Sequence, residues 1–140
     1  VLGCRVAPEA DVESLQVIYT PLHGSGNKPV SSILRQIGVK NVTVVPEQEM
    51  PNGNFPTAPY PNPEIRQAFE CALKLAETVK PDLLLATDPD CDRVGIAVNT
   101  GDDYKLLSGN DVGALLLDFV LSRRKANGTL PKKPIAVNRR

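Results

Sequence analysis

The first apolar run, Leu15-Gln16-Val17-Ile18-Tyr19-Thr20, is β-branched and aromatic and meets Pro21, Gly24 and Gly26 at once. That punctuation predicts a buried strand leaving a sheet through a tight loop. Asn27 stands where a helix cap is wanted and Pro29 falls in the first turn, where its missing N–H costs nothing. Val30, Ile33, Leu34 and Ile37 then recur at helical spacing until Gly38 stops the segment. Asn41-Val42-Thr43-Val44-Val45 makes a second strand, closed by Pro46. Short connections in a β-α-β order imply a parallel sheet.

From 46 to 63 the chain is dense in Pro, Asn and Gly, which reads as an ordered surface loop. Asn62-Pro63-Glu64 supplies the cap, proline and acid of a second helix, whose inner face is Ile65, Phe69, Ala72, Leu73, Ala76 and Val79, with Lys80-Pro81 as its end. Residues 82–87, nearly all apolar, predict a central strand buried on both faces. Another strand over 94–98, a turn over 99–103 and a short edge strand over 104–107 follow. A third helix over 108–127 ends at Gly128, and Pro134-Ile135-Ala136-Val137 starts a strand with no successor. The expected fold is α/β with a mixed, mostly parallel sheet over 1–107, then an incomplete second unit of helix and strand over 108–140. The sequence contains no internal repeat or low-complexity tract.

Composition narrows the function classes. With 140 residues, 41% of them hydrophobic, the chain can bury one ordinary core and little more. Sixteen basic residues balance sixteen acidic ones, so nothing in the charge calls for a nucleic-acid groove or an anionic membrane. Cys4, Cys71 and Cys91 are odd in number and form no CxxC pair, which argues against a disulfide framework and a zinc site and for a reducing cytoplasm. No apolar run nears the roughly 20 residues that span a bilayer, and the N-terminus lacks a signal-peptide layout. The absence of an initial methionine suggests a chain cut from something longer.

The candidate chemistry lies in Asp88-Pro89-Asp90-Cys91-Asp92-Arg93, directly after the third strand. Alternate side chains of extended backbone point the same way, so the three carboxylates can converge. Such crowding is tolerable when a hard divalent cation shares the field, and Mg²⁺ favours carboxylates plus a phosphate oxygen. Arg93 adds a fixed cation for that phosphate. Ligands of open α/β sheets collect at the carboxyl ends of strands, where this cluster falls. The bland alternative is a solvated turn. An EF-hand fails, because Arg93 and Asn99 occupy the places of its glycine and glutamate. An aspartyl-phosphate phosphatase, with Asp88 as nucleophile, is the enzymatic rival, although its motif normally follows the first strand.

Tyr19-Thr20-Pro21-Leu22-His23-Gly24-Ser25-Gly26, Pro51-Asn52-Gly53-Asn54-Phe55-Pro56 with Pro61-Asn62-Pro63-Glu64, residues 88–93, and Gly109-Asn110-Asp111 together resemble the α-D-phosphohexomutases, which include phosphoglucomutases and phosphomannomutases. The resemblance implies the second domain of a four-domain isomerase, a three-layer α/β/α unit, followed by the opening of the third. It implies that Asp88, Asp90 and Asp92 hold Mg²⁺ with an oxygen of a phosphoserine, that Arg93 steadies that group, and that a phosphoryl group passes to a hexose phosphate through a sugar bisphosphate. Other domains of the same chain would supply the rest. The family's Ser-His-Asn-Pro type motif does not occur in these residues, so the 140-residue chain is expected to be inactive alone.

Other residues invite weighing. His23, the only histidine, is catalytic or a brace for the strand-to-helix loop. Gly24 and Gly26 fit turn geometry better than a dinucleotide site. Cys91 is a poor magnesium ligand and reads as packing. Arg123, Arg124, Lys125, Lys132 and Lys133 suit a solvated helix end. The Leu115-Leu116-Leu117 and Phe119-Val120 face needs covering, which leaves open a non-enzymatic interaction module.

Overall fold

The computed structural model describes residues 2–7 and 10–136. The strand-forming runs become β1 (Gln16–Thr20), β2 (Asn41–Val44), β3 (Leu83–Thr87), β4 (Val94–Asn99) and β5 (Tyr104–Leu107). The helices are α1 (Asn27–Gln36), α2 (Glu70–Val79) and α3 (Gly109–Ala126), with single 3-10 turns at Leu2–Cys4, Pro46–Gln48 and Arg66–Phe69. One sheet holds all five strands in the order β2-β1-β3-β4-β5. β1 is parallel to β2 and β3, while β4 runs against both β3 and β5, so four strands share a direction and one opposes them. The fold is therefore α/β with a mixed sheet.

Register sorts the side chains. Ile18 stands beside Leu84, Leu84 beside Ala97, and Ala86 lies two residues on. These residues share the face that packs on Phe69, Ala72 and Ala76 of α2 and its lead-in. Small residues on the helix let it approach closely, and Phe69 contributes on the order of 2–3 kcal/mol through burial. Val17 and Tyr19 point to the other face, where Gly26, just before α1, sits against the Tyr19 and Thr87 hydroxyls. Because β2 and β3 flank β1 on opposite sides, right-handed crossovers put α1 and α2 on opposite faces, which gives three layers.

Three local expectations change. Gly26, not Asn27, is the N-cap of α1, and the Asn27 side chain donates instead, through Nδ2, to the Glu49 carbonyl at 3.2 Å. Asn62 makes a turn, accepting from the Glu64 amide at 3.0 Å, and α2 proper begins only at Glu70. The reason is tertiary: Pro63 is buried against Gly95 of β4, which ties the segment to the sheet end before it can coil. Residues 134–136 form no strand, since no sheet edge pairs with them. Val137 and the rest of that expected strand lie outside the described residues.

α3 begins on a reciprocal cap: the Asp111 amide donates to Ser108 Oγ at 3.1 Å and the Ser108 amide to Asp111 Oδ2 at 3.0 Å. The Ser108 hydroxyl, which donates to Asp111 Oδ2 at 2.7 Å, and then the Ser108 amide hold the Asp111 carboxyl below the usual carboxylate range. Val112 is its only buried residue, and Leu115, Leu116, Leu117 and Phe119 are exposed. Among the described residues no helix is long and apolar enough to cross a membrane.

Candidate metal centre

The carboxyl ends of β1, β2, β3 and β5 lie at one end of the sheet, and the loops that leave them are the ones carrying the sequence motifs. β1 and β3 are parallel neighbours whose connections depart toward opposite sides, the switch point at which open sheets form a crevice. Residues 88–93 fill it.

Asp88 is fully buried. Its Oδ1 accepts the Asp92 amide at 3.1 Å and the Arg93 amide at 2.9 Å, and its Oδ2 accepts Arg93 Nε at 2.7 Å. The Cys91 amide donates to the Asp88 carbonyl at 3.0 Å, with Cys91 itself in the left-handed region at φ 63°. The loop is thus a tight turn rather than the extended segment expected from alternation. Convergence survives the change of route: one oxygen from each of Asp88, Asp90 and Asp92 lies within 4.8 Å of the others.

The electrostatics follow. Burial would push the Asp88 carboxyl up, but the Arg93 backbone and guanidinium bonds, with help from Asp92 and the Arg93 charge, outweigh it and hold the group below the usual range. A hydrogen bond shared with Asp88 and the charges of Asp90 and Asp88 push the exposed Asp92 carboxyl up. The Asp88 bond likewise raises the Arg93 guanidinium. With both amides on Oδ1, the acceptor capacity left on Asp88 is the second lone pair of Oδ2. Asp90 and Asp92 are exposed, and Asp92 Oδ1 lies 3.7 Å from Arg93 Nε. Three hard oxygen donors with one open side fit magnesium, and Cys91 supplies a soft donor that does not.

The β1–α1 loop supports this turn from below. Gly24 lies so close that a Cβ on it would sit 2.3 Å from Pro89 Cα. Ser25 donates to the Pro89 carbonyl through its amide at 2.9 Å and its hydroxyl at 3.1 Å. Tyr19 and Thr87 share a hydroxyl bond of 2.8 Å underneath, and burial pushes the Tyr19 phenol up to about 12. His23 is a brace: Nε2 meets Thr57 Oγ1 at 2.9 Å and Nδ1 the Met50 carbonyl at 3.4 Å. A carbonyl only accepts, so Nδ1 is the donor in that contact. Buried Gln48 accepts from Thr20 Oγ1 at 2.6 Å and fixes the 46–58 loop. Arg66 is engaged elsewhere, in a salt bridge to Asp103 at 2.9 Å.

The sequence pointed to the acids and to Arg93, and it did not point to Ser25 or Gln48. Both act through partners far away in the chain, so no local spacing marks them.

Comparisons with known proteins support the α/β/α fold. Residues 5–101 match the family model described as phosphoglucomutase/phosphomannomutase, alpha/beta/alpha domain II. The chain is 42% identical over 108 residues to a phosphoglucomutase of Staphylococcus saprophyticus, covering 76% of this chain and 20% of that protein. It is 32% identical over 126 residues to a phosphomannomutase of Mycoplasmoides pirum, 90% and 22% of the two chains. A probable phosphoribomutase of Schizosaccharomyces pombe is 36% identical over 126 residues, 89% and 21%. The crystal structure of a phosphoglucomutase/phosphomannomutase family protein from Burkholderia thailandensis superposes with a TM-score of 0.68 at 18% identity, over 85% of this chain and 25% of that one. The chain spans about a fifth of the length of the curated relatives it matches.

Proposed function

This chain belongs to the phosphoglucomutase/phosphomannomutase family, and on that premise we propose that it is the magnesium-binding domain of a sugar-phosphate mutase of the cytoplasm. Residues 1–107 form that domain and residues 108–140 open the next. The observation that carries the reading is the convergence of three carboxylate oxygens at the sheet's switch point.

Asp88, Asp90 and Asp92 would hold Mg²⁺, which when bound draws charge from a transferring phosphoryl group. Arg93 keeps Nε on Asp88 and leaves its terminal nitrogens, on a half-exposed side chain, to grip two phosphate oxygens. The turn orients those donors before substrate arrives, which is the protein's share of phosphoryl-transfer catalysis. The substrate is a hexose phosphate converted between its 1- and 6-phosphates through a bisphosphate. The phosphoserine and the sugar-recognition groups come from other domains of a longer polypeptide, and the 140 residues alone are inactive.

An aspartyl phosphatase fits less well: its motif normally follows the first strand, whereas Asp88 follows β3, and the one lone pair left on Asp88 Oδ2 lies beside the Arg93 Nε bond and the other two carboxylates. Isothermal titration with Mg²⁺ tests the proposal: the wild-type chain binds and Asp90→Ala does not. Equal binding by that variant would overturn it.

A further inference from the structure

Among the described residues, every hydrogen bond that reaches residues 89–92 from outside the turn comes from one residue, Ser25. Its amide and hydroxyl together occupy both lone pairs of the Pro89 carbonyl. Pro89 lies between Asp88, which is anchored within its own turn, and Asp90, which has no such anchor. The position of the Asp90 oxygen relative to the other two is therefore set through its two flanking peptides: the Cys91 amide ties one to the Asp88 carbonyl within the turn, and Ser25 holds the other, at Pro89, from outside it.

The loop that carries Ser25 is built for close approach. Gly24 places bare backbone against Pro89, where any Cβ would collide. To arrive there the chain takes two successive left-handed residues, Leu22 at φ 47° and His23 at φ 62°. Such conformations persist only where surroundings over-determine them. Here the His23 amide donates to Gln48, the Asn52 amide donates to His23, and the Gly24 amide donates to Pro21 at 2.8 Å.

We propose that Ser25 is a positioning residue for the metal centre, holding the Pro89 peptide so that Asp90 converges with Asp88 and Asp92. The proposal rests on the magnesium reading above. It predicts a division of effects that a merely structural contact would not give, because Ser25 is exposed and its hydroxyl supports only the turn.

The test uses the 140-residue chain as wild type, Ser25→Ala and Ser25→Thr. Amide hydrogen exchange at Asp92 and Arg93 reads the turn without metal, and Mn²⁺ titration reads the site. Loss of one hydrogen bond should speed exchange about fivefold and weaken Mn²⁺ binding about as much in Ser25→Ala. Ser25→Thr should restore both, and the melting temperature should scarcely move. Unchanged exchange in Ser25→Ala overturns the proposal, as does faster exchange with undiminished Mn²⁺ affinity. A wild-type chain that binds no Mn²⁺ overturns the magnesium reading and this proposal with it, and the exchange data then tell that failure apart from a turn that Ser25 never held.

Discussion

Asp88→Ala and Asp88→Asn remove different parts of one carboxylate, and their difference measures how the acid turn is built. Alanine strips Oδ1 from the Asp92 and Arg93 amides and Oδ2 from Arg93 Nε. Each amide bond to a charged acceptor contributes about 1.5 kcal/mol at the low end of its range, which suits a turn that water partly reaches. The ion pair adds roughly 0.5 kcal/mol, because half of the Arg93 side chain is exposed. The sum is about 3.5 kcal/mol, or on the order of 12 °C in melting temperature for a chain of this size. Asparagine keeps an oxygen for the two amides and presents an NH₂ to Arg93, so it should cost about 1 kcal/mol, near 3–4 °C.

Urea denaturation and thermal melts without metal would read the two values, and Mg²⁺ titration should fail for both variants. Acidity supplies an internal control. The Asp88 carboxyl is held low in the folded state, so its contribution is present above the unfolded value of about 3.9 and is lost as pH falls through the lower folded value. The wild-type advantage over Asp88→Asn should therefore start to shrink as pH falls below about 4 and close only beneath the lower folded value. Equal losses in the alanine and asparagine variants would refute the reasoning, since the amides would then not depend on Oδ1.

Tyr19 predicts an alkaline limit: its phenol ionises near 10 in the unfolded chain and at about 12 when buried. Its contribution is complete below pH 10 and declines as pH rises between those values, so Tyr19→Phe should flatten the loss seen in melts across that range while costing about 1 kcal/mol at neutral pH through the orphaned Thr87 hydroxyl. Gly95→Ala would drive a Cβ to 2.0 Å from the Pro63 carbonyl, and because both groups are backbone the variant should lose about 3 kcal/mol. Gly53→Ala, with open space around it, should stay within about 0.5 kcal/mol of wild type in the same denaturation series.

Much of the fold was legible because burial writes itself into periodicity. Val17-Ile18-Tyr19 and Leu83-Leu84-Leu85 are apolar at consecutive positions because both faces of β1 and β3 are covered. The opening of α2 was misplaced by several residues, since the contact of Pro63 with Gly95 is invisible to local capping rules. The acidic triad was legible as a concentration of charge, yet the path that brings it together was not. A left-handed Cys91 has no sequence signature of the kind glycine provides. Ser25 escaped for a related reason: its partner lies 64 positions away, beyond any pattern of neighbours.

β3 and β4, the two rails that lead into and out of the acid turn, each have a strand on either side. Fraying of this sheet starts at its rims, β2 and β5, where backbone groups face water along one side. Heating or a protease would thus wear the periphery first, and the turn between the two rails would keep its shape until the sheet itself gives way.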